Sequence, residues 1–243
     1  MRQKLDVGAT LSQIFSTYGA QAGVLLPVAF GLFLIVAVID GLLAGGSLIL
    51  LPLSFAVSII AGTLYQGMVV SLVRDVQDGR RDSSVGDLVS QTAPVVLPLI
   101  GAGLLAGLGI GVGFILLVVP GLILLTIWAV IAPVIVVEHS GVMDAFGRSR
   151  ELVRDNGWQV FGVIVSVVLI GIVASLVLGA IGAGISDGLG IRILFNLIAS
   201  TLTAPIGALA AATIYFRLLE IKGSPEATPA FQDVPPPSVP PAV

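Results

Sequence analysis

The sequence predicts an all-α, polytopic membrane protein with six transmembrane helices and amphipathic interfacial helices on the cytoplasmic side. Three observations predict it. Hydrophobic residues make up 56% of the chain and charged ones 10%, with a mean hydropathy of +1.10, whereas soluble domains carry about 25% charged residues. The stretch from Ala93 to Val137 holds no charged residue and is about twice the length of one span, which needs roughly 20 apolar residues. The lysines and arginines fall in alternate connections of such a bundle, as set out below.

Composition also excludes function classes. The chain has no cysteine and one histidine, His139. Disulfides, iron–sulfur clusters and thiolate zinc sites are out. One imidazole with scattered carboxylates is too few for a metal site, so neither metal nor cofactor is expected. No cleavable signal peptide is expected, because the first apolar run follows a polar helix and is too long for a signal-peptide core.

Residues 2–20 read as an amphipathic helix. Val7, Leu11, Ile14, Phe15 and Tyr18 share one face, with Arg2, Lys4, Thr10, Gln13 and Thr17 off it. Such a helix is expected to lie in the interface plane. The spans are placed at about 23–44, 48–73, 94–117, 121–137, 158–183 and 191–215. Gly45-Gly46-Ser47 turns the first pair. Arg74, Asp75, Asp78, Arg80, Arg81 and Asp82 form a charged loop with an Asp78-Gly79 turn. Ser84 and Asp87 fit a capping box that opens a short helix into the third span. The long uncharged run then folds back once, and Val118-Val119-Pro120-Gly121 is predicted as the hairpin.

Glu138 to Asn156 reads as a second amphipathic helix. Its apolar face is Val142, Ala145, Phe146, Leu152 and Val153, with an Asp144–Arg148 pair one turn apart. Trp158 stands where the fifth span enters the membrane. Ser186-Asp187-Gly188 makes the next turn, and the sixth span is expected to kink or hinge near Pro205. The tail over 223–243 is proline-rich and is expected to be extended and disordered, so the membrane domain is 1–222.

Six spans put both termini on one side. That side receives Arg2, Lys4, Arg74, Arg80, Arg81, Arg148, Arg150, Arg154, Arg217 and Lys222, and the other only Arg192. The positive-inside asymmetry predicts cytoplasmic termini, and the cell (plasma) membrane is the expected location. If the uncharged run crossed once, the Arg148 cluster would fall outside and the asymmetry would weaken. Short similarities between residues 7–13, 85–91 and 141–146 also suggest three units of interfacial helix plus hairpin; chance similarity explains them equally well.

Several motifs carry a resemblance. They are Tyr65-x-Gly67 before the basic loop, Val119-Pro120-Gly121 with Trp128, and Pro133-Val134-Ile135-Val136-Val137-Glu138. After them come Ala145-Phe146-x-Arg148-Ser149-x-x-Leu152-Val153, Trp158-x-Val160-Phe161-Gly162, Ala204-Pro205 and Tyr215. With these the chain resembles the membrane domain fused to some bacterial glycerophosphoryl diester phosphodiesterases, and related stand-alone six-span bacterial and archaeal proteins of unknown function. The resemblance covers nearly the whole chain up to about Gly223. One departure is visible: Phe216-Arg217 follows the final tyrosine where the group tends to carry an acid and an arginine. The resemblance implies an integral membrane module and no particular activity.

Four polar positions are singled out: Asp40, Gln66, Glu138 and Asn196. Asp40 is either an intramembrane functional acid or the outer end of its helix. Glu138, beside His139, is either a proton or ion site or an anchor pairing with Arg148 or Arg150. Ser54, Ser58, Gly62 and Tyr65/Gln66 share a face of the second span; Asn196, Ser200, Thr203 and Gly207 share one of the sixth. Interhelical hydrogen bonding and a solute path both fit. Glycines at 103, 107, 109, 111 and 113 suit close packing within the bundle, an oligomer contact or a gate.

No enzymatic constellation is assembled by these residues, so the chain is not expected to be an enzyme. The expected function is a membrane scaffold or regulatory module. The alternative is a small-solute permease or exporter with a path between spans two and six. A water-filled cavity lined by Ser58, Gln66, Asn196 and Thr203 favours transport; a dry, tightly packed core favours the scaffold. Expected partners are the lipid bilayer and a further copy of the chain or another membrane protein, with no nucleic acid.

Overall fold

The computed structural model describes residues 4–43, 51–78 and 85–223. The Gly45-Gly46-Ser47 turn, the Ser84 cap, most of the charged loop and the proline-rich tail lie outside the described residues. Within them the secondary structure is helical, with no strand. The helices are α1 (Val7–Leu43), α2 (Leu51–Gln77), α3 (Val85–Thr92), α4 (Val96–Leu116), α5 (Val118–Ile127), α6 (Ile131–Glu138), α7 (Val142–Val153), α8 (Gly157–Ile185) and α9 (Leu189–Lys222). Six segments are long and apolar enough to cross a membrane: α1, α2, α3 joined to α4, α5 joined to α6, α8 and α9. The chain is an all-α polytopic membrane protein.

The order of elements follows the sequence, with two corrections. First, the amphipathic arm is not a separate helix in the interface plane. It continues into the first span as α1, 37 residues long, or ~55 Å at 1.5 Å per residue, against a hydrocarbon core of ~30 Å. Most of the amphipathic face packs on the core, with α9 as the main neighbour of α1: Ile14 is fully buried, Val7, Leu11 and Tyr18 pack beside the core, and Phe15 stays exposed. Second, the fold-back is not at Pro120-Gly121. The break is at Leu117, which is extended (φ −162°, ψ 148°), and α5 starts at Val118. Pro120 sits in the first turn of α5, where its missing N–H breaks no helical hydrogen bond. Gly121 is there for proximity: a Cβ on it would sit 2.6 Å from the Phe114 ring, and one on Gly113 would lie 3.0 Å from the Gly121 backbone. α9 runs through Pro205 as one helical segment.

The three amphipathic segments meet their spans differently. The first is continuous, the second is joined to α4 by a 3-10 turn over Ala93–Val95, and the third is separated from α8 by Arg154–Asn156. The Ser186–Gly188 turn forms as expected, with the Gly188 N–H donating to Ser186 Oγ at 3.1 Å.

α9 is the central post. It packs against α1, α8 and α2, and α4 packs against α5 and α2. The core runs through the half of the bundle that carries Arg74, Glu138 and Arg217. It takes in Val69–Val73, Val130–Val136, Leu152–Val153 and Ala208–Tyr215. From Ile131 to Val136 α6 is apolar on all sides because it is surrounded on all sides.

Candidate functional site

The fourth span is interrupted between Ile127 and Ile131. Pro133 explains the break. It has no N–H to give Ala129, and its ring crowds that carbonyl. The Ile131 N–H reaches only to the Trp128 carbonyl, at 3.4 Å. Bare backbone inside a span is tolerated where protein covers it. Here α7 does so: Ser149 Oγ donates to the Ile127 carbonyl at 2.8 Å. Phe146 meets the Trp128 ring edge-to-face, 4.9 Å between centroids.

The same helix is tied to the end of α6. His139 terminates α6 in the left-handed region (φ 51°, ψ 33°), turning the chain so that α7 folds back. Glu138 is an acid at a helix C-terminus, where the helix dipole disfavours it. Its neighbours offset that. Arg148 Nε donates to both carboxylate oxygens, at 3.2 and 3.1 Å. Tyr215 Oη of α9 donates to Oε1 at 3.1 Å. Arg148 Nη1 also reaches Glu151 Oε2 at 3.2 Å. The expected Asp144–Arg148 pair is not what forms, because Glu138 and Glu151 claim the guanidinium. Burial by itself lowers the Arg148 basicity, but the bonds and charges of Glu138, then Glu151, leave it raised above its ordinary value. The arm and the last helix close the arrangement. Arg217 Nε donates to Gln13 Oε1 at 2.8 Å, and the Leu5 N–H to buried Asn156 Oδ1 at 3.1 Å. Lys222 Nζ bonds the Glu151 carbonyl and pairs with Asp155.

The structure does not unite the four polar positions. Glu138 sits in this network. Asp40 is at the opposite end of α1, with a buried Oδ1 that has no partner among the described residues. Asn196 is exposed on α9. Gln66 lines a cavity of about 260 Å³ whose walls come from α2, α4, α5, α6 and the break at Trp128. None of Ser58, Asn196 or Thr203 lines it, and Thr203 Oγ1 is bonded to its own helix at the Ala199 carbonyl. This cavity is not the expected path between spans two and six: its walls lie between α2, α4 and the broken fourth span. Among the described residues no three of His, Cys, Asp and Glu converge as metal ligands.

Sequence reasoning missed Thr63, Trp128, Ser149 and Tyr215 as parts of these sites. The signal for the break was present in Pro133, four residues after Ala129 in a segment read as one helix. The hydroxyls of Ser149 and Tyr215 gave no signal, since their partners are remote in sequence.

No family model matches the chain, and no solved structure matches it. One stretch of 100 residues is 38% identical to a UPF0259 membrane protein of Pectobacterium carotovorum subsp. carotovorum (strain PC1), covering 41% of this chain. The chain aligns with 39% of the length of that curated relative. With six candidate spans, it is an integral, multi-pass membrane protein.

Proposed function

We propose that the chain is a non-enzymatic membrane scaffold or regulatory module of the plasma membrane, with both termini and α7 on the cytoplasmic side. The observation that carries this reading is the fixing of α7. Arg148 on Glu138, Ser149 on Ile127 and Phe146 on Trp128 hold an amphipathic helix across the end of the bundle. Its outer face presents Met143, 74% exposed, beside exposed Asp144 and Arg150. A helix whose inner face is locked by packing and hydrogen bonds offers a partner a surface already in its bound shape. The partner is another membrane protein or a second copy of this chain. The placement of lysine and arginine at this end supports the orientation. The resemblance to the membrane domain of glycerophosphoryl diester phosphodiesterases, which implies a membrane module and no particular activity, is compatible with that role.

A photo-crosslinking side chain at position 143 of the full chain in cells tests it. The expected result is a discrete protein adduct that is lost when Arg148→Ala frees α7. Met143→Cys in this cysteine-free chain should react with an impermeant maleimide only from the cytoplasmic face. Absence of any adduct, or labelling from outside, overturns the reading.

A further inference from the structure

The cavity beside the broken span has a chemistry of its own. Its lining includes no titratable side chain; most of it is aliphatic, such as Leu99, Ala106 and Ile135, with the Trp128 ring at the break. A pocket of this kind, apolar with a few placed polar groups, suits a small ligand. The polar groups are specific. The Gln66 amide borders the cavity and makes no hydrogen bond among the described residues, so it offers both a donor and an acceptor. The Thr63 hydroxyl gives its proton to the Ile59 carbonyl at 2.7 Å, which leaves its oxygen free to accept. Ala129, whose carbonyl loses its helical donor at Pro133, lines the cavity too. Trp128 is held in place by Phe146 on one side and by Gly109 on another, where a Cβ would lie 2.6 Å from the ring.

We propose that this cavity binds a small neutral amphiphile, its amide or hydroxyl head on Gln66 and its apolar body against Trp128 and the α4 wall. A charged ligand is excluded by chemistry: nothing in the lining can pair with an ion inside a span, and an unpaired ion there costs several kcal/mol. A purely apolar ligand leaves the Gln66 amide without a partner, which the cavity's geometry does not require. Neutral amphiphiles partition into the bilayer and reach the site from it. The proposal stands apart from the scaffold reading, since binding is measured with no partner present.

The test uses the full chain in phosphatidylcholine nanodiscs with Trp158→Phe, leaving Trp128 as the sole indole. Octanamide and 1-octanol are titrated, with octanoate and octylammonium as charged comparators. The expected result is a saturable change in Trp128 emission with the neutral pair alone. Gln66→Leu, which breaks no bond in the fold, should weaken octanamide about tenfold, the equivalent of one hydrogen bond. Ala106→Phe should abolish saturation by filling the space; if that variant fails to fold, Gln66→Leu still decides. Emission that only follows bilayer loading, saturation by the charged pair, or octanamide affinity unchanged in Gln66→Leu overturns the proposal.

Discussion

At the charged end of the bundle Ile135, Leu209, Ile214 and Leu218 are fully buried, whereas at the opposite end Leu42, Ile115, Leu117 and Ile185 are between 64% and 85% exposed. Both sets are large aliphatic side chains: the buried ones stand on α6 and α9, the exposed ones on α1, α4, α8 and the break at Leu117. What differs is the solvent. α1 and α9, 37 and 34 residues long, exceed the ~20 residues that cross the hydrocarbon. Their excess length, with α3 and α7, lies where water drives apolar side chains together. Toward the other end the exposed aliphatic side chains suit lipid, which is as apolar as leucine, so burial there adds little. Tight packing and long-range hydrogen bonds therefore gather at one end, and with them the candidate platform.

The sharpest way to break this comparison is to remove equal side chains from the two ends. Ile135→Ala should cost about 2–5 kcal/mol, as a core truncation that leaves a cavity. Ile115→Ala should cost about 0.5 kcal/mol or less, as an exposed substitution does. Thermal unfolding in one detergent reads both. Equal losses would mean that the exposed end is covered in the native assembly.

The next largest effect is expected at Arg148. Arg148→Ala leaves the Glu138 carboxylate, whose side chain is only 14% exposed, with the Tyr215 hydroxyl but no counter-charge, and should cost about 2–3 kcal/mol, the range for bonds to charged groups. A double-mutant cycle with Glu138→Gln should recover part of that loss, because the uncompensated charge is then gone. Arg148 is raised in the folded state. Its stabilisation is fully present below the unfolded value and is lost only as pH rises through the folded one. Both lie far into the alkaline range, so the Arg148→Ala penalty should hold constant over about pH 6–9.

The exposed end has tight points too, and the one between Gly121 and Phe114 sharpens the contrast. Gly121→Ala places a methyl into the Phe114 ring and should cost about 1–3 kcal/mol by overpacking. Gly171→Ala on α8, where a Cβ would meet nothing within 4 Å, should be near neutral. If both are neutral, the α4–α5 contact yields freely and the turn at Leu117 alone sets the hairpin.

How much of this could be read in advance follows from the range of the forces. The spans, the Ser186–Gly188 turn and the buried face of α7 depend on local periodicity and turn chemistry, and they are legible in the chain. The arm was misread because an apolar stripe such as Val7, Leu11 and Ile14 looks the same to a headgroup layer as to a neighbouring helix; only the contact with α9 decides. Pro120 drew attention from Leu117 because a proline in a first turn and a proline in a corner leave the same mark. Asn196 and Gln66 looked equivalent as polar positions on apolar helices. Helix packing then put one outside and the other against a cavity. Glu138 with Arg148 was legible, being ten residues apart across one turn; Tyr215, 77 residues from Glu138, was not.

The smallest effect isolates the bond that ties α7 to the broken span. Ser149 is fully buried, and its hydroxyl caps the Ile127 carbonyl. Ser149→Ala should leave that carbonyl bare and cost about 1–2 kcal/mol, the penalty for an unmet buried acceptor. Ser175→Ala, on the exposed face of α8, removes the same hydroxyl and should cost about 0–0.5 kcal/mol. Amide exchange distinguishes a local from a global effect. Faster exchange confined to residues 127–134 would show that α7 seals the interruption. Uniform acceleration across the bundle would show that Ser149 supports the core at large and that the platform is not separately anchored.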